Sequence, residues 1–305
     1  MHSIETTVLR GLRELIADRR NQAGRAGETT LVGLIGRGIQ ASRTPAMHEL
    51  EAERQGSACT YVLIDFDRLG LADCALGDVL EAVRGSGFAG VNVTHPFKQA
   101  IIPLLDDLST EAAAIGAVNT VVLRDGKAVG HNTDCWGFTE AFRTGMPGVS
   151  LDRVVQFGAG GAGAAVAYAL LQMGVRELSI VDTDGARATA LAEHMRNVSR
   201  ADVTSTADSA NAISQASGIV NATPVGMKKY PGMPFDRALL TPHNWVAEII
   251  YFPTETELLC HARGLGCKVL PGIGMAIGQA VRAFELFTGR ATDMTSMANH
   301  FETAA

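Results

Sequence analysis

The run Gly158-Ala159-Gly160-Gly161-Ala162-Gly163 constrains this chain more than any other stretch. It follows the apolar Val154-Val155-Gln156-Phe157 and opens into a row of small residues, Ala164 to Gln172. Strand, glycine turn and small-residue helix make the first half of a βαβ unit. Glycines in such a turn allow a tight bend, close approach of backbone to a pyrophosphate, and close helix packing. The helix N-terminus then offers unpaired N–H groups and a partial positive charge. A lone G-x-G-x-x-G says little, but the strand before it and the helix after it make this one specific. The run therefore predicts a dinucleotide site built on the glycines Gly158, Gly160 and Gly163. Asp182 ends the next apolar run, 19 residues past Gly163. That is close to the ~20-residue spacing of a carboxylate that binds a ribose 2′-hydroxyl. A carboxylate there repels a 2′-phosphate, so NAD is favoured over NADP. Arg187 stands near enough to accept a 2′-phosphate or to stack on adenine.

Upstream, apolar runs alternate with helical patterns. Leu31–Gly36, Cys59–Ile64 and Phe88–Val93 read as strands, and Pro45–Gln55 and Leu71–Arg84 as helices, with Thr44 as an N-cap. Alternation of this kind implies βαβ units and a mostly parallel sheet. Pro96 suits the first turn of a helix that would carry Lys98. Asp125-Gly126 between two extended runs is a hairpin signal. A second α/β set starts at Arg153 and continues through strands Glu177–Val181, Gly218–Asn221, Trp245–Ile249 and Cys267–Leu270 to a last amphipathic helix, Met275–Phe287. The expected fold is α/β with two domains. Residues 1–133 plus 272–305 form a substrate-binding catalytic domain with a mostly parallel sheet, and residues 134–271 a Rossmann-like dinucleotide-binding domain.

At 305 residues the chain is long enough for two domains. Its net charge of −6 gives no basic surplus for phosphate backbones, which argues against a nucleic-acid partner. No apolar run reaches the ~18 residues of a membrane span. Residues 7–20 read as a basic amphipathic helix on the surface or at a subunit contact, not as a secretory signal. The five scattered cysteines make no C-x-x-C pair or zinc spacing, so no metal is expected and the thiols should be reduced, in a cytoplasmic protein.

A polar set precedes the glycine loop: Asn92-Val93-Thr94-His95-Pro96-Phe97-Lys98, then Asn119-Thr120, then Asn132-Thr133-Asp134. Asn92 and Thr94 fall at the carboxyl end of a strand, where open α/β sheets bind ligands. Oxidising a secondary alcohol needs a base for the hydroxyl proton. A lysine can serve when desolvation or its neighbours tune it, and a carboxylate can orient it. Lys98 and Asp134 have those types, although spacing alone does not bring them together. A surface lysine and a helix-capping Asp134 are the competing readings. Cys135 reads as a small packed residue, and His95 as structural or solvent-facing.

Taken together, Asn92 to Lys98, Gly116-Ala-Val-Asn119-Thr120, Asn132-Thr-Asp134 and Asn221-Ala-Thr-Pro-Val-Gly-Met227 resemble the shikimate/quinate dehydrogenase family, in order and spacing from Leu31 to about Phe287. The resemblance implies that Lys98 is the catalytic lysine and Asp134 its partner. It implies that Asn92, Thr94, Asn119, Asp134 and Gln279 hold ring hydroxyls, and that Tyr251 lines the site near the substrate carboxylate. Gly161, Ala162, Thr223, Ile249 and Gly272 would be further cofactor contacts. Biosynthetic members usually carry Ser-x-Ser-Pro at the carboxylate. Here the run is Ser42-Arg43-Thr44-Pro45, which resembles the NAD-dependent quinate/shikimate branch and still offers two hydroxyls. NADP-using members resemble Asn-Arg-Thr after the second cofactor strand, where this chain has Asp182-Thr183-Asp184. Pro271-Gly272-Ile273-Gly274-Met275 lacks polar side chains found in some quinate-using relatives, which leaves open another cyclohexane acid such as an aminoshikimate. The expected ligands are shikimate or quinate with NAD, in a monomer or homodimer. Three alternatives stand: a biosynthetic NADP enzyme, a degenerate dinucleotide-binding sensor or scaffold, and, more distantly, a methylene-tetrahydrofolate dehydrogenase-like enzyme.

Overall fold

The computed structural model describes residues 11–19 and 29–303. The chain forms two compact units. One takes the chain up to Thr133 and again from Ala280, and the other takes Asp134–Gln279.

The first unit is built on a six-stranded sheet of order β2-β1-β3-β5-β6-β4. Its strands are β1 (Thr30–Gly36), β2 (Cys59–Asp65), β3 (Gly90–Val93), β4 (Asp107–Leu108), β5 (Thr120–Arg124) and β6 (Lys127–His131). Pairs β1–β2, β1–β3 and β4–β6 are parallel, whereas β3–β5 and β5–β6 are antiparallel. The β5–β6 hairpin turns through Asp125 and Gly126, both at positive φ (53° and 74°), as the Asp-Gly pair predicts. β1 and β2 are nearly continuous apolar runs because both faces are covered. Ile35, Ile64, Phe66, Val91 and Phe97 are among the core residues. Helices α2 (Thr44–Arg54), α3 (Leu76–Arg84) and α4 (Thr110–Ile115) belong to this unit.

Residues 11–19 form helix α1, whose Leu12 is buried in the same core with Leu15 and Ile16 beside it. Residues 7–10 and 20 of the predicted basic helix lie outside the described residues. Arg19 pairs with Glu49 at 2.5 Å.

The structure departs from two local expectations. Thr44 is the first residue of α2 and not its N-cap. Arg43 takes the cap position, without a side-chain cap bond, and Pro45 occupies the first turn. Nor does Pro96 start a helix. Residues 95–101 form successive turns, because the Lys98 carbonyl accepts the N–H of Val118 (2.7 Å) instead of a helical partner.

The second unit holds a parallel six-stranded sheet of order β12-β11-β10-β7-β8-β9. Its strands are β7 (Arg153–Phe157), β8 (Glu177–Val181), β9 (Asp202–Ser205), β10 (Gly218–Asn221), β11 (Trp245–Glu248) and β12 (Val269–Leu270). Read from the first strand, this is the doubly wound order 3-2-1-4-5-6, whose direction reverses between β7 and β10. Helices α5 (Thr133–Gly145), α6 (Gly161–Gln172), α7 (Gly185–Val198), α8 (Ser209–Gln215), α9 (Glu257–Gly264) and the start of α10 (Ile273–Thr288) accompany it. The first turns of α10 stay with this unit because Gly137 of α5 meets them at backbone distance. A Cβ there would lie 2.6 Å from both Met275 O and Gln279 N. From Ala280 onward the chain belongs to the first unit. Gly90 leaves room for Phe287, and α11 (Met294–Thr303) packs on α2. Among the described residues no helix is long and apolar enough to cross a membrane.

Candidate active site

The glycine loop sits at the carboxyl end of β7, at the reversal point of the second sheet. Its glycines answer different demands. Gly158 has φ +100°, and a Cβ there would lie 2.5 Å from Ala222 O. At Gly163 a Cβ would collide with Gly158 O. Gly160 is different: its φ is −77°, and a Cβ would meet nothing within 4 Å. The fold does not require glycine there. The open space lies against the N-terminus of α6, which has no side-chain cap. A pyrophosphate fits that cradle, since it needs backbone N–H groups and no intruding side chain. The loop is pinned from below by Gln156, a residue that sequence reasoning passed over as part of a strand. Its Nε2 donates to Gly158 O (2.9 Å) and Gly163 O (2.8 Å).

Asp182 follows β8 and faces this loop. Its Oδ2 accepts the N–H of Ala159 (2.7 Å), and its Oδ1 accepts that of Asp184 (2.9 Å). Asp184 caps α7 by accepting the N–H of Arg187 (3.1 Å) and also pairs with the Arg187 guanidinium (3.4 Å). The only nearby cation that the sequence singled out is thus held by a second carboxylate.

Thr223 and Ile249 are organised by a group that no motif flagged. Glu248, at the end of β11, is 1% exposed. It accepts from Asn221 Nδ2 (3.1 and 3.0 Å), Thr256 Oγ1 (3.2 Å) and the N–H groups of Ile249 and Ile250 (3.0 and 3.1 Å). Burial pushes its carboxyl up to about 7, against the pull of these donors. Asn221 in turn accepts from the N–H and hydroxyl of Thr223 (3.0 and 2.7 Å). Gly272 lies against this segment, where a Cβ would meet Ile249 and Ile250 backbone.

In the first unit the polar strings converge where β3 and β6 end and β5 begins. Asn92 is buried and bonded through both ends of its amide. Its Oδ1 accepts from Tyr61 Oη (2.7 Å), and its Nδ2 donates to Thr120 Oγ1 (2.9 Å) and Asn119 O (3.3 Å). Asn119 Oδ1 accepts the N–H of Thr133 (2.7 Å), and its Nδ2 donates to Thr133 Oγ1 (3.0 Å). Asn132 donates to Ala117 O (2.9 Å). Tyr61 was invisible to motif reasoning because it reads as one more apolar residue of β2. Thr94 and Lys98 are half-buried on the turns after β3, and His95 is exposed. Ser42 and Thr44 are half-buried at the start of α2, where Thr44 N–H donates to Ser42 Oγ (3.3 Å). The loop before them is tied down by buried Asp65, which accepts from Gly38 N, Ile39 N and Gln40 Nε2 (3.0, 3.1 and 2.9 Å).

Three further predicted residues belong to the second unit. Asp134 is buried in the first turn of α5, Gln279 is half-buried in α10 with Nε2 donating to Ala276 O (3.0 Å), and Tyr251 is exposed after β11. Ser42, Thr44, Asn92, Thr94, Lys98 and Asn119 therefore belong to one unit, and the cofactor residues with Asp134, Tyr251 and Gln279 to the other.

Comparison with known proteins agrees with these strings. A family model described as the shikimate dehydrogenase substrate binding domain matches residues 34–121. One described as the shikimate 5′-dehydrogenase C-terminal domain matches residues 272–293. The chain is 52% identical to a shikimate dehydrogenase (NADP(+)) of Streptomyces avermitilis, over 88% of this chain and 94% of that protein. It is 48% identical to a quinate/shikimate dehydrogenase (NAD(+)) of Corynebacterium efficiens, over 88% and 96%. Among solved structures it resembles a quinate dehydrogenase from Corynebacterium glutamicum in complex with NAD, with TM-score 0.84 and 48% identity over 91% of this chain and all of that one. Two-sheet architecture, loop chemistry and ordered polar strings lead to one conclusion: this chain belongs to the shikimate dehydrogenase family of NAD(P)-binding oxidoreductases.

Proposed function

We propose that this protein oxidises the ring hydroxyl of shikimate or quinate to the corresponding 3-dehydro acid with NAD⁺, and catalyses the reverse. The observation that carries the cofactor choice is the pair of carboxylates after β8. Asp182 faces the loop and Asp184 already holds Arg187, so a 2′-phosphate would meet two negative charges and an engaged cation. Relatives of nearly equal identity are named for either nucleotide, so the choice rests on these residues. The open space at Gly160 and the N-terminus of α6 would take the pyrophosphate. Asp182 would hold the adenosine ribose, with Thr223, Ile249 and Gly272 beside the rest of the nucleotide.

On this reading the unit ending at Thr133 and resuming in α10 binds the acid, and the unit opening at Asp134 binds the nucleotide. Ser42 and Thr44 donate to the acid's carboxylate. Thr94, Asn119, Asp134 and Gln279 fix the ring hydroxyls, and Tyr251 lines the carboxylate side. Lys98 takes the hydroxyl proton as the C–H hydride leaves, with Asp134 as its acidic partner. Bound nicotinamide supplies the hydride acceptor. The protein acts in the cytoplasm as a monomer or homodimer.

Product analysis tests the reaction. With shikimate or quinate and NAD⁺, the 3-dehydro acid and NADH should form in equal amounts. Lys98→Ala should lose this turnover while keeping its fold. Equal turnover by wild type and Lys98→Ala would exclude Lys98 as the base.

A further inference from the structure

The charged residue between the two carboxylate-binding hydroxyls faces the end of the chain. Arg43 has its guanidinium 4.7 Å from the centroid of the Phe301 ring, and its Nη1 donates to Phe301 O at 3.4 Å. Phe301 is 2% exposed and is one of two buried residues of α11. A second tie joins the same helices. Glu51 of α2 is wholly buried and accepts from Thr292 Oγ1 (2.7 Å), Ser296 Oγ (2.6 Å) and His300 Nε2 (3.0 Å), as well as from Arg54 of its own helix and from Gln55 at its C-cap. Burial works to raise the Glu51 carboxyl, yet these donors hold it well below the ordinary carboxylate range. A carboxylate so thoroughly bonded fixes α2 against residues 292–300 along one stretch, and Arg43 fixes the start of α2 against Phe301. The backbone of Arg43 joins Ser42 directly to Thr44, and the N–H of Thr44 is spent on Ser42 Oγ. Holding Arg43 therefore holds the backbone that carries the two hydroxyls.

We propose that Arg43 is a positioning residue for the acid's carboxylate and that α11 is the clamp through which it acts. The inference rests on the dehydrogenase reading above. It also assigns a task to residues 294–303, which lie beyond the matched stretch ending at residue 293. Arg43 does not touch substrate. It keeps Ser42 and Thr44 at the spacing that lets both donate to one carboxylate, so its loss should weaken binding of the acid and leave the nucleotide and the chemical step alone.

Steady-state kinetics of the full chain test this, with shikimate, its methyl ester and NAD⁺. Arg43→Leu should raise the KM for shikimate about tenfold, the worth of roughly one charge-assisted hydrogen bond. The KM for NAD⁺ and kcat should stay near wild type. The preference for the acid over its ester should shrink by a similar factor, which a general loss of stability would not produce. Phe301→Leu, which leaves Arg43 in place, should shift the same ratio, and Arg43→Lys should restore part of it. If Arg43→Leu lowers Tm but leaves the acid-to-ester ratio unchanged, the clamp is structural only and the proposal fails. If Arg43→Leu shifts the ratio but Phe301→Leu does not, Arg43 contacts the acid itself and the positioning role fails. A wild-type protein that oxidises no cyclohexane acid would overturn the dehydrogenase reading and this inference with it.

Discussion

Gly160 and Gly163 stand three residues apart in one loop, and alanine should fail at them for opposite reasons. At Gly163 the added methyl would run into Gly158 O. Gly163→Ala should therefore destabilise the loop by about 2 kcal/mol or more, read as a fall in Tm of several degrees. At Gly160 the methyl would meet only open space. Gly160→Ala should keep the wild-type Tm and raise the KM for the nucleotide, which thermal melts and kinetics together would separate. Lys98→Ala should lower kcat by about 10²–10⁴, the usual contribution of a positioned general base, with smaller changes in either KM.

His48 gives a residue-scale prediction about stability. It is buried against Tyr61, Phe284 and Phe287, with ring centroids 5.1, 5.8 and 5.9 Å away, and its Nε2 has no hydrogen-bond partner. Burial lowers its pKa from 6.5 to about 3, so it is neutral in the folded protein. The unfolded chain takes up this proton first. The contribution is therefore complete above 6.5 and lost as pH falls toward 3, by at most about 5 kcal/mol. Denaturant melts should show His48→Leu losing less stability than wild type between pH 7 and pH 4. An equal loss in both proteins would rule out His48 as an acid-sensitive group.

Among elements, those with a strong apolar period were legible. The β7–loop–α6 unit read correctly because its strand, glycines and small residues each have a separate physical cause. The β9–α8 pair did not, since β9 is Asp202-Val203-Thr204-Ser205 at a sheet edge and buries only Val203. α11 escaped notice for the same reason: it anchors through two buried side chains and through polar bonds to Glu51 that no hydropathy pattern records. The proposed site residues stand in motif strings and so show in the sequence by type and order, whereas their supports Tyr61, Gln156 and Glu248 do not. Tyr61 and Glu248 act across the sheet on a motif residue, and cross-strand partners have no fixed spacing in sequence, whereas Gln156 holds the loop that follows it and reads only as one polar position in an apolar strand.

Glu248 joins the ends of β10 and β11, so its removal is an element-scale experiment. Gln in place of Glu248 would turn an amide N–H₂ toward donors. Glu248→Gln should raise the KM for the nucleotide several-fold by loosening Asn221, Thr223 and Ile249, with the KM for the acid unchanged. The carboxyl also lies higher in the folded protein, about 7 against 4.5. Its contribution to stability is thus complete below 4.5 and lost as pH rises through 7, opposite in sense to His48. Carbon NMR of the carboxyl should show a midpoint near neutrality, and an ordinary acidic midpoint would contradict the burial argument.

At the scale of the whole molecule, acid recognition is proposed for one compact unit and nucleotide recognition for the other. Variants should sort the same way: Arg43 and Thr44 changes should act on the acid, and Gly160, Asp182 and Glu248 changes on the nucleotide. The most direct measurement is the set of initial rates of NAD⁺ and NADP⁺ reduction with shikimate and with quinate, for wild type and for Asp182→Ala. The account predicts that wild-type kcat/KM for NAD⁺ exceeds that for NADP⁺ by about tenfold or more, which corresponds to roughly 1.4 kcal/mol, and that Asp182→Ala narrows the gap. A wild-type preference for NADP⁺ would contradict it, and would mean that Arg187 leaves Asp184 to bind the 2′-phosphate.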